Sequence, residues 1–178
     1  ELLAAIKSSI VNGCKGFYLC YQPFVSTITG KIIGAEALIR YKNDAFGVVP
    51  PYRFISQIEA HPLFHELGLW IIRQAISDAK KVMEKQPNFF INVNMSYSQL
   101  EKPELKEEVV KILKEMDFPA EHLQLELTER CRNLDMDYLK EQLEYLKEYG
   151  IKIALDDFGT GTSAINMLCE LPIDCVKI

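Results

Sequence analysis

The feature that most constrains the fold of this chain is a regular alternation of short apolar strands with longer helical segments. Apolar strands are predicted at 89–94, 123–127 and 151–155; each precedes a helical segment, and a last apolar segment covers 173–178. This alternation is typical of parallel βα units with right-handed crossovers. It predicts an α/β fold, and a barrel and an open doubly wound sheet both agree with it. The missing G-x-G-x-x-G motif weighs against a dinucleotide-binding fold.

The segment before residue 89 has a different pattern. Apolar segments at 17–25 and 31–41, with Gly30 at the turn between them, predict an antiparallel hairpin at the start of the sheet. Apolar residues at helical spacing predict helices over 2–10, 51–58 and 63–85.

Composition and charge narrow the classes of function. The chain has 178 residues, enough for one domain, and a net charge of -5. Proteins that bind DNA or RNA through their own Lys and Arg are usually basic, so no nucleic-acid polymer is expected as a partner. An anionic substrate would then need positive charge from another source, and metal ions can supply it.

Cysteine usage and hydropathy predict a cytoplasmic location, which includes the cytoplasmic domain of a membrane-bound protein. The five cysteines are odd in number and form no C-x-x-C pair, which favours reduced thiols. No apolar run reaches the ~20 residues of a membrane span. The chain begins with Glu1 and stops within a predicted strand, so we expect it to be a piece of a larger polypeptide.

Hard oxygen donors stand in four successive predicted strands or at their ends. They are Glu36, Asn94, Glu126 and Asp156. The carboxyl ends of parallel strands face one side of a sheet, so these side chains are expected to converge. Clustered carboxylates repel one another unless a cation is present, and oxygen ligands favour Mg²⁺, Mn²⁺ or Ca²⁺ over zinc. Asp157, next to Asp156, could help to hold a second metal.

A different interpretation remains open for single acids. Taken alone, Glu129 or Asp157 is as readily a helix cap or a surface residue as a functional group. Four strands with the same type of donor are harder to explain in that way. The sequence therefore predicts a metal site for phosphodiester chemistry.

Six motifs along the chain resemble one known family. They are YQPF at 21–24, EALIRY at 36–41, VNMS at 93–96, LELTE at 125–129, DDFGTG at 156–161 and LPIDCVKI at 171–178. In this order they resemble the EAL domain family, bacterial phosphodiesterases of cyclic di-GMP. One departure is Tyr41, where the family often has Trp.

The resemblance implies a fold and a reaction. The fold is a TIM-like (β/α) barrel with an antiparallel first strand, of which about six of eight strands would fall within this chain. The reaction is hydrolysis of cyclic di-GMP to linear pGpG with two divalent cations, Mg²⁺ or Mn²⁺. The family's barrel continues with a further Glu and Gln, so a chain ending at Ile178 is expected to be a poor enzyme by itself.

The resemblance also implies roles for individual residues. The first metal would be held by Glu36, Asn94, Glu126 and Asp156. Asp156 and Asp157 would hold the second metal, Lys177 would position the attacking water, and Glu129 would brace the loop that begins at Asp157. Substrate contacts would come from Gln22, Leu38 and Arg40.

Partners also follow from the resemblance. In addition to cyclic di-GMP as the ligand, the resemblance predicts a second copy of the protein in a homodimer. It also predicts a flanking sensor or GGDEF domain. A non-catalytic EAL domain that acts as a cyclic di-GMP receptor or as a protein-interaction module remains the alternative.

Overall fold

One sheet organises the chain. The computed structural model describes residues 1–128, 131, 134–156 and 163–178. In this part of the chain the sheet has seven strands: β1 Phe17–Val25, β2 Ile32–Asn43, β3 Gly47–Val49, β4 Phe90–Met95, β5 Leu123–Leu127, β6 Lys152–Leu155 and β7 Cys175–Val176.

Helices connect most of the strands. They are α1 Leu2–Val11, α2 Pro51–Ile58, α3 Leu63–Met83, α4 Tyr97–Leu100, α5 Leu105–Glu115, α6 Met136–Glu148 and α7 Ser163–Glu170, with a 3₁₀ turn at Ala120–His122. None of the helices in the described ranges is long and apolar enough to cross a lipid bilayer.

The strand order confirms the predicted topology. The order is β1-β2-β4-β5-β6-β7, with β3 paired to β2. β1 and β2 form the antiparallel hairpin, whereas β2, β4, β5, β6 and β7 run parallel to one another. Within the described ranges β1 and β7 are the edges, so the sheet is TIM-like and not closed. The parallel strands therefore present their carboxyl ends on one side.

The main core lies between the sheet and helices α3, α5 and α6. The outward residues of β4, β5 and β6 are almost fully buried there, Val93, Leu125 and Ile153 among them. Helix α3 covers them with Ile72 and Ile76, which have no exposed surface. Each such side chain contributes about 1.5–3 kcal/mol when it leaves water. This core fixes the other face of the strands, where the polar side chains lie.

A second cluster packs helices α1 and α2 against the hairpin. Tyr41 is fully buried in it and stacks on Phe17 with ring centroids 4.4 Å apart. The Tyr41 hydroxyl lies 2.9 Å from Ser9 Oγ and accepts a hydrogen bond from Asn43 Nδ2 at 3.1 Å. These polar contacts let a tyrosine fill a position deep in an apolar cluster.

Three elements differ from the predictions. β3 and α4 were not expected, because three or four residues are too few to show a period. β7 pairs over two residues only, shorter than the predicted 173–178 segment. Backbone bonds still flank β7, from Asp174 N–H to Ile153 O at 2.8 Å and from Lys177 N–H to Leu155 O at 2.9 Å, but the Ile153 N–H donates to the Asp174 carboxylate at 2.9 Å. A side chain thus takes a place that a longer ladder would give to backbone.

Candidate functional site

The strand register brings the predicted donors to one side of the sheet. Asn94 on β4 lies opposite Glu126 on β5, and Glu36 on β2 lies opposite Asn92, two residues before Asn94. Because side chains alternate along a strand, Glu36, Asn94 and Glu126 point to the same face. Asp156 and Lys177 directly follow β6 and β7. The core-facing neighbours of these residues are apolar, so the alternation leaves the polar groups on the inner face.

The ammonium group of Lys177 lies among three of the carboxylates. Lys177 Nζ donates to Glu126 Oε1 at 2.5 Å and to Glu36 Oε2 at 2.9 Å, and Asp156 Oδ1 is 3.9 Å away. The hydrogen bonds to Glu126 and Glu36 outweigh burial, which acts in the opposite direction, and raise the pKa of Lys177. The ammonium is therefore the positive charge that holds these acids together.

Glu126 is the most deeply buried acid of the site. Its side chain has no exposed surface, whereas those of Glu36 and Asp156 are 13% and 28% exposed. Burial raises the pKa of Glu126 to about 7, and a hydrogen bond with Asp156 and the charge of Glu36 act in the same direction. The hydrogen bond from Lys177 opposes this rise. A group buried in this way favours a nearby cation strongly.

Two asparagine amides donate hydrogen bonds to the oxygens of Glu36 and Glu126 that Lys177 does not bind. Asn94 Nδ2 donates to Glu36 Oε1 at 2.7 Å, and Asn92 Nδ2 donates to Glu126 Oε2. Asn92 lies two residues before Asn94 on the same strand face and is fully buried. The alternation of side chains along β4 puts Asn92 on this face, but only the fold shows that its partner is Glu126.

Aromatic rings line the inner face beside the acids. The ring of Phe24 lies 5.8 Å from Lys177 Nζ and stacks on Phe90 at 5.5 Å between centroids. Gly34 leaves room for Phe90, because a Cβ at residue 34 would come within 2.7 Å of that ring. The sequence did not single out Phe24 for this role, since its ring meets Lys177 only through the fold.

A cavity opens beside the acids. It has a volume of about 610 Å³ and is lined by Leu38, Arg40, Asn94, Ser96 and Thr128, with apolar residues of α2 and α3. Its size lies within the range of typical ligand pockets. Leu38 and Arg40, two of the predicted substrate contacts, therefore share one cavity with Asn94, a predicted metal ligand.

The other predicted residues have different positions. Gln22 is exposed on β1 and pairs with Glu36 across the hairpin. Asp157 and Glu129 lie outside the described residues.

The donor set has the chemistry of a site for a hard divalent cation. Glu36, Glu126 and Asp156 offer carboxylate oxygens, and Asn94 offers an amide oxygen. As they stand, the described residues include no group of three or more His, Cys, Asp or Glu side chains that could hold a metal ion. In the described arrangement Lys177 pairs with these acids. The residues therefore suit a divalent cation by their donor atoms and by their net negative charge.

The fold and site define an α/β protein with a TIM-like sheet and an acidic site at the carboxyl ends of its parallel strands. A model of the EAL domain family matches residues 5–178, and the chain belongs to this family.

Named relatives agree with that assignment. A cyclic di-GMP phosphodiesterase of Pseudomonas aeruginosa, PA2567, is 34% identical over 171 residues, covering 96% of this chain and 29% of that protein. An uncharacterized signaling protein of Caulobacter vibrioides is 38% identical over 158 residues, covering 89% of this chain and 19% of that protein. The chain thus spans less than a third of the length of both relatives.

Solved structures agree as well. The PaMucR phosphodiesterase in its complex with c-di-GMP superposes with a TM-score of 0.90 at 30% identity, over 100% of this chain and 72% of that chain.

Proposed function

We propose that the protein containing this chain hydrolyses cyclic di-GMP to linear pGpG with the help of two divalent cations, Mg²⁺ or Mn²⁺. The observation that carries the proposal is the convergence of Glu36, Glu126 and Asp156 around Lys177 Nζ at the strand ends. The named relatives and the c-di-GMP complex of a similar structure support the choice of substrate.

The proposed ligands of the first cation are Glu36, Asn94, Glu126 and Asp156, and those of the second are Asp156 and Asp157. Bound cations would supply Lewis-acid stabilisation of the charge that develops on the phosphate. The protein's contribution is to hold the oxygens in place before substrate arrives. Glu36 and Glu126 are each fixed by a hydrogen bond from an asparagine amide and by one from Lys177, which lowers the cost of ordering them.

Lys177 is proposed to position the attacking water. Its raised pKa keeps the amine protonated, so Nζ donates a hydrogen bond to the water oxygen and does not remove a proton from it. Glu129 is proposed to brace the loop that begins at Asp157.

The cavity is proposed as part of the substrate site. Arg40 carries the charge that suits a phosphate oxygen, and Leu38 supplies an apolar wall in the same cavity. Gln22, which pairs with Glu36 across the hairpin, is proposed as a third substrate contact.

The proposal extends to the context of the domain. We propose that residues 1–178 are part of the EAL domain of a larger cytoplasmic signalling protein, or of the cytoplasmic domain of a membrane-bound one. That protein would act as a homodimer, with a flanking sensor or GGDEF domain.

The test is hydrolysis of cyclic di-GMP by the full-length protein with Mn²⁺, followed by chromatography of the products. We expect pGpG to accumulate, and we expect a chelator or Glu36→Ala to abolish its formation without unfolding the protein. A folded sample that binds cyclic di-GMP but never forms pGpG would replace this proposal with the receptor alternative.

A further inference from the structure

We propose that Asn92 is a positioning residue that determines which oxygen of Glu126 is offered to the cation. The inference rests on the proposed function, and it concerns a residue outside the proposed ligand set.

The two oxygens of Glu126 have different partners. Asn92 Nδ2 donates to Oε2, while Lys177 Nζ donates to Oε1 from the side where Glu36 and Asp156 lie. Both Asn92 and Glu126 have no exposed surface, so water does not compete for these bonds. The amide therefore holds Oε2 on the far side and leaves Oε1 facing the other acids.

The amide of Asn92 turns its donor toward Glu126. The Nδ2 group donates to Oε2, and a carboxylate that binds a cation can only accept hydrogen bonds. Asn92 Oδ1 is then buried without a hydrogen-bond partner among the described residues. An unpaired buried acceptor reduces stability. A residue chosen for stability alone at this position would be apolar, like its neighbours Ile91 and Val93 on the opposite face.

A parallel contact supports a positioning role. Asn94, the next inward residue on β4, donates to Glu36 Oε1 while Lys177 bonds the other oxygen, Glu36 Oε2. Each of these two carboxylates is thus held between one amide and the same ammonium. The difference is that Asn94 is exposed on the cavity side, whereas Asn92 is enclosed and has room for no ligand of its own. The structure therefore assigns Asn92 to orientation of Glu126, so that Oε1 would be the oxygen offered to a bound cation.

The test replaces Asn92 with leucine in the full-length protein. Asn92→Leu keeps a similar shape and removes the donor. Titration of Mn²⁺, followed by electron paramagnetic resonance without substrate, should show affinity reduced by about 10- to 100-fold, the usual effect of losing a group that orients a ligand. With saturating Mn²⁺, kcat should fall while KM for cyclic di-GMP stays close to the wild-type value.

The matched control is Ile91→Val, a change of buried volume on the same strand that does not touch Glu126. It should leave Mn²⁺ affinity and kcat unchanged, so a loss seen only in Asn92→Leu is not a general effect of strand stability. Asn92→Ala serves the same test if Asn92→Leu does not fold. A folded variant with wild-type Mn²⁺ affinity and wild-type kcat would overturn the inference. If the wild-type protein does not hydrolyse cyclic di-GMP, the proposed function fails, and the Mn²⁺ titration still decides the role of Asn92.

Discussion

Lys177 Nζ lies 2.5 Å from Glu126 Oε1, although 51 residues separate them in the chain. The two side chains belong to β5 and to the residue after β7, the two neighbours of β6. Their hydrogen bond therefore spans the width of β6 on the inner face of the sheet. Because the Glu126 carboxylate is fully buried, removal of its partner leaves a charge that the surroundings cannot hydrate.

Lys177→Met tests whether the ammonium group of Lys177 takes part in the reaction. We expect kcat on cyclic di-GMP to fall at least about 10²-fold, since the donor proposed to position the water is lost. Steady-state kinetics at saturating Mn²⁺ measure the effect. The control is Lys140→Met, which removes only an exposed pair with Glu144 at 3.8 Å on α6. Equal activities of the two variants would show that the ammonium of Lys177 has no part in the reaction.

Glu126→Gln should reduce both stability and activity. Asn92 Nδ2 and Lys177 Nζ each donate to one oxygen of Glu126, so a neutral amide of the same shape leaves one of these donors facing an NH2 group. We expect the metal-free variant to unfold at a lower temperature than the wild type, and hydrolysis to be lost because a proposed ligand is gone. Thermal unfolding with a chelator present measures the first effect. An unchanged unfolding temperature would mean that these two hydrogen bonds do not stabilise the fold.

Gly68→Ala should disturb the turn that follows Asn94. A Cβ at residue 68 on α3 would lie 1.8 Å from Gln99 Nε2, and Gln99 Oε1 accepts the backbone N–H of Ser96 at 2.9 Å. We expect a loss of about 1–3 kcal/mol in the free energy of unfolding, as for other overpacked interiors.

A second background identifies the cause. In Gln99→Ala the space beside Gly68 is open, and alanine is the better helix former by about 1 kcal/mol. Gly68→Ala should then be neutral or stabilising in that background. Urea unfolding of the four proteins of this cycle gives the coupling between the two positions. Additive effects would rule out the contact with Gln99 as the reason for the glycine.

The convergence of acids could be predicted because it depends on few facts. Once strands are known to be parallel, their carboxyl ends must share one edge, and alternation decides which face Glu36, Asn94 and Glu126 use. Motif order then identified the family, which the match over residues 5–178 confirms. The roles of Asp157 and Glu129 stay predictions.

The contacts that fix the acids could not be predicted. Asn92 meets Glu126, and Phe24 meets Lys177, only through the exact stagger and twist of strands far apart in sequence. A single sequence shows which face a residue uses, but not which diagonal neighbour it meets. The bond from the Ile153 N–H to the Asp174 carboxylate beside β7 could not be predicted for the same reason.

Asp174 should make the stability of the protein depend on acidic pH. Its carboxylate accepts hydrogen bonds from Lys147 Nζ at 2.8 Å and from the Ile153 N–H. Burial opposes ionisation of this group, but the Lys147 and Ile153 bonds outweigh it and lower the pKa of Asp174 below its ordinary value of 3.8. The unfolded chain therefore binds a proton at a higher pH than the folded protein does. The stabilisation is complete above pH 3.8 and is lost as the pH falls through the lower, folded-state pKa.

Asp174→Asn should remove this dependence, because the amide carries no charge to titrate. We expect the variant to be about 1 kcal/mol less stable than the wild type at pH 7, and this difference to shrink as the pH falls below 3.8. Urea unfolding at pH 7 and at a pH below 3.8 measures the two differences in the free energy of unfolding. Glu144→Gln is the control, since its pair with Lys140 is half exposed and should contribute little at either pH. A difference between Asp174→Asn and wild type that stays constant with pH would show that the bonds to Lys147 and Ile153 do not depend on the charge of Asp174.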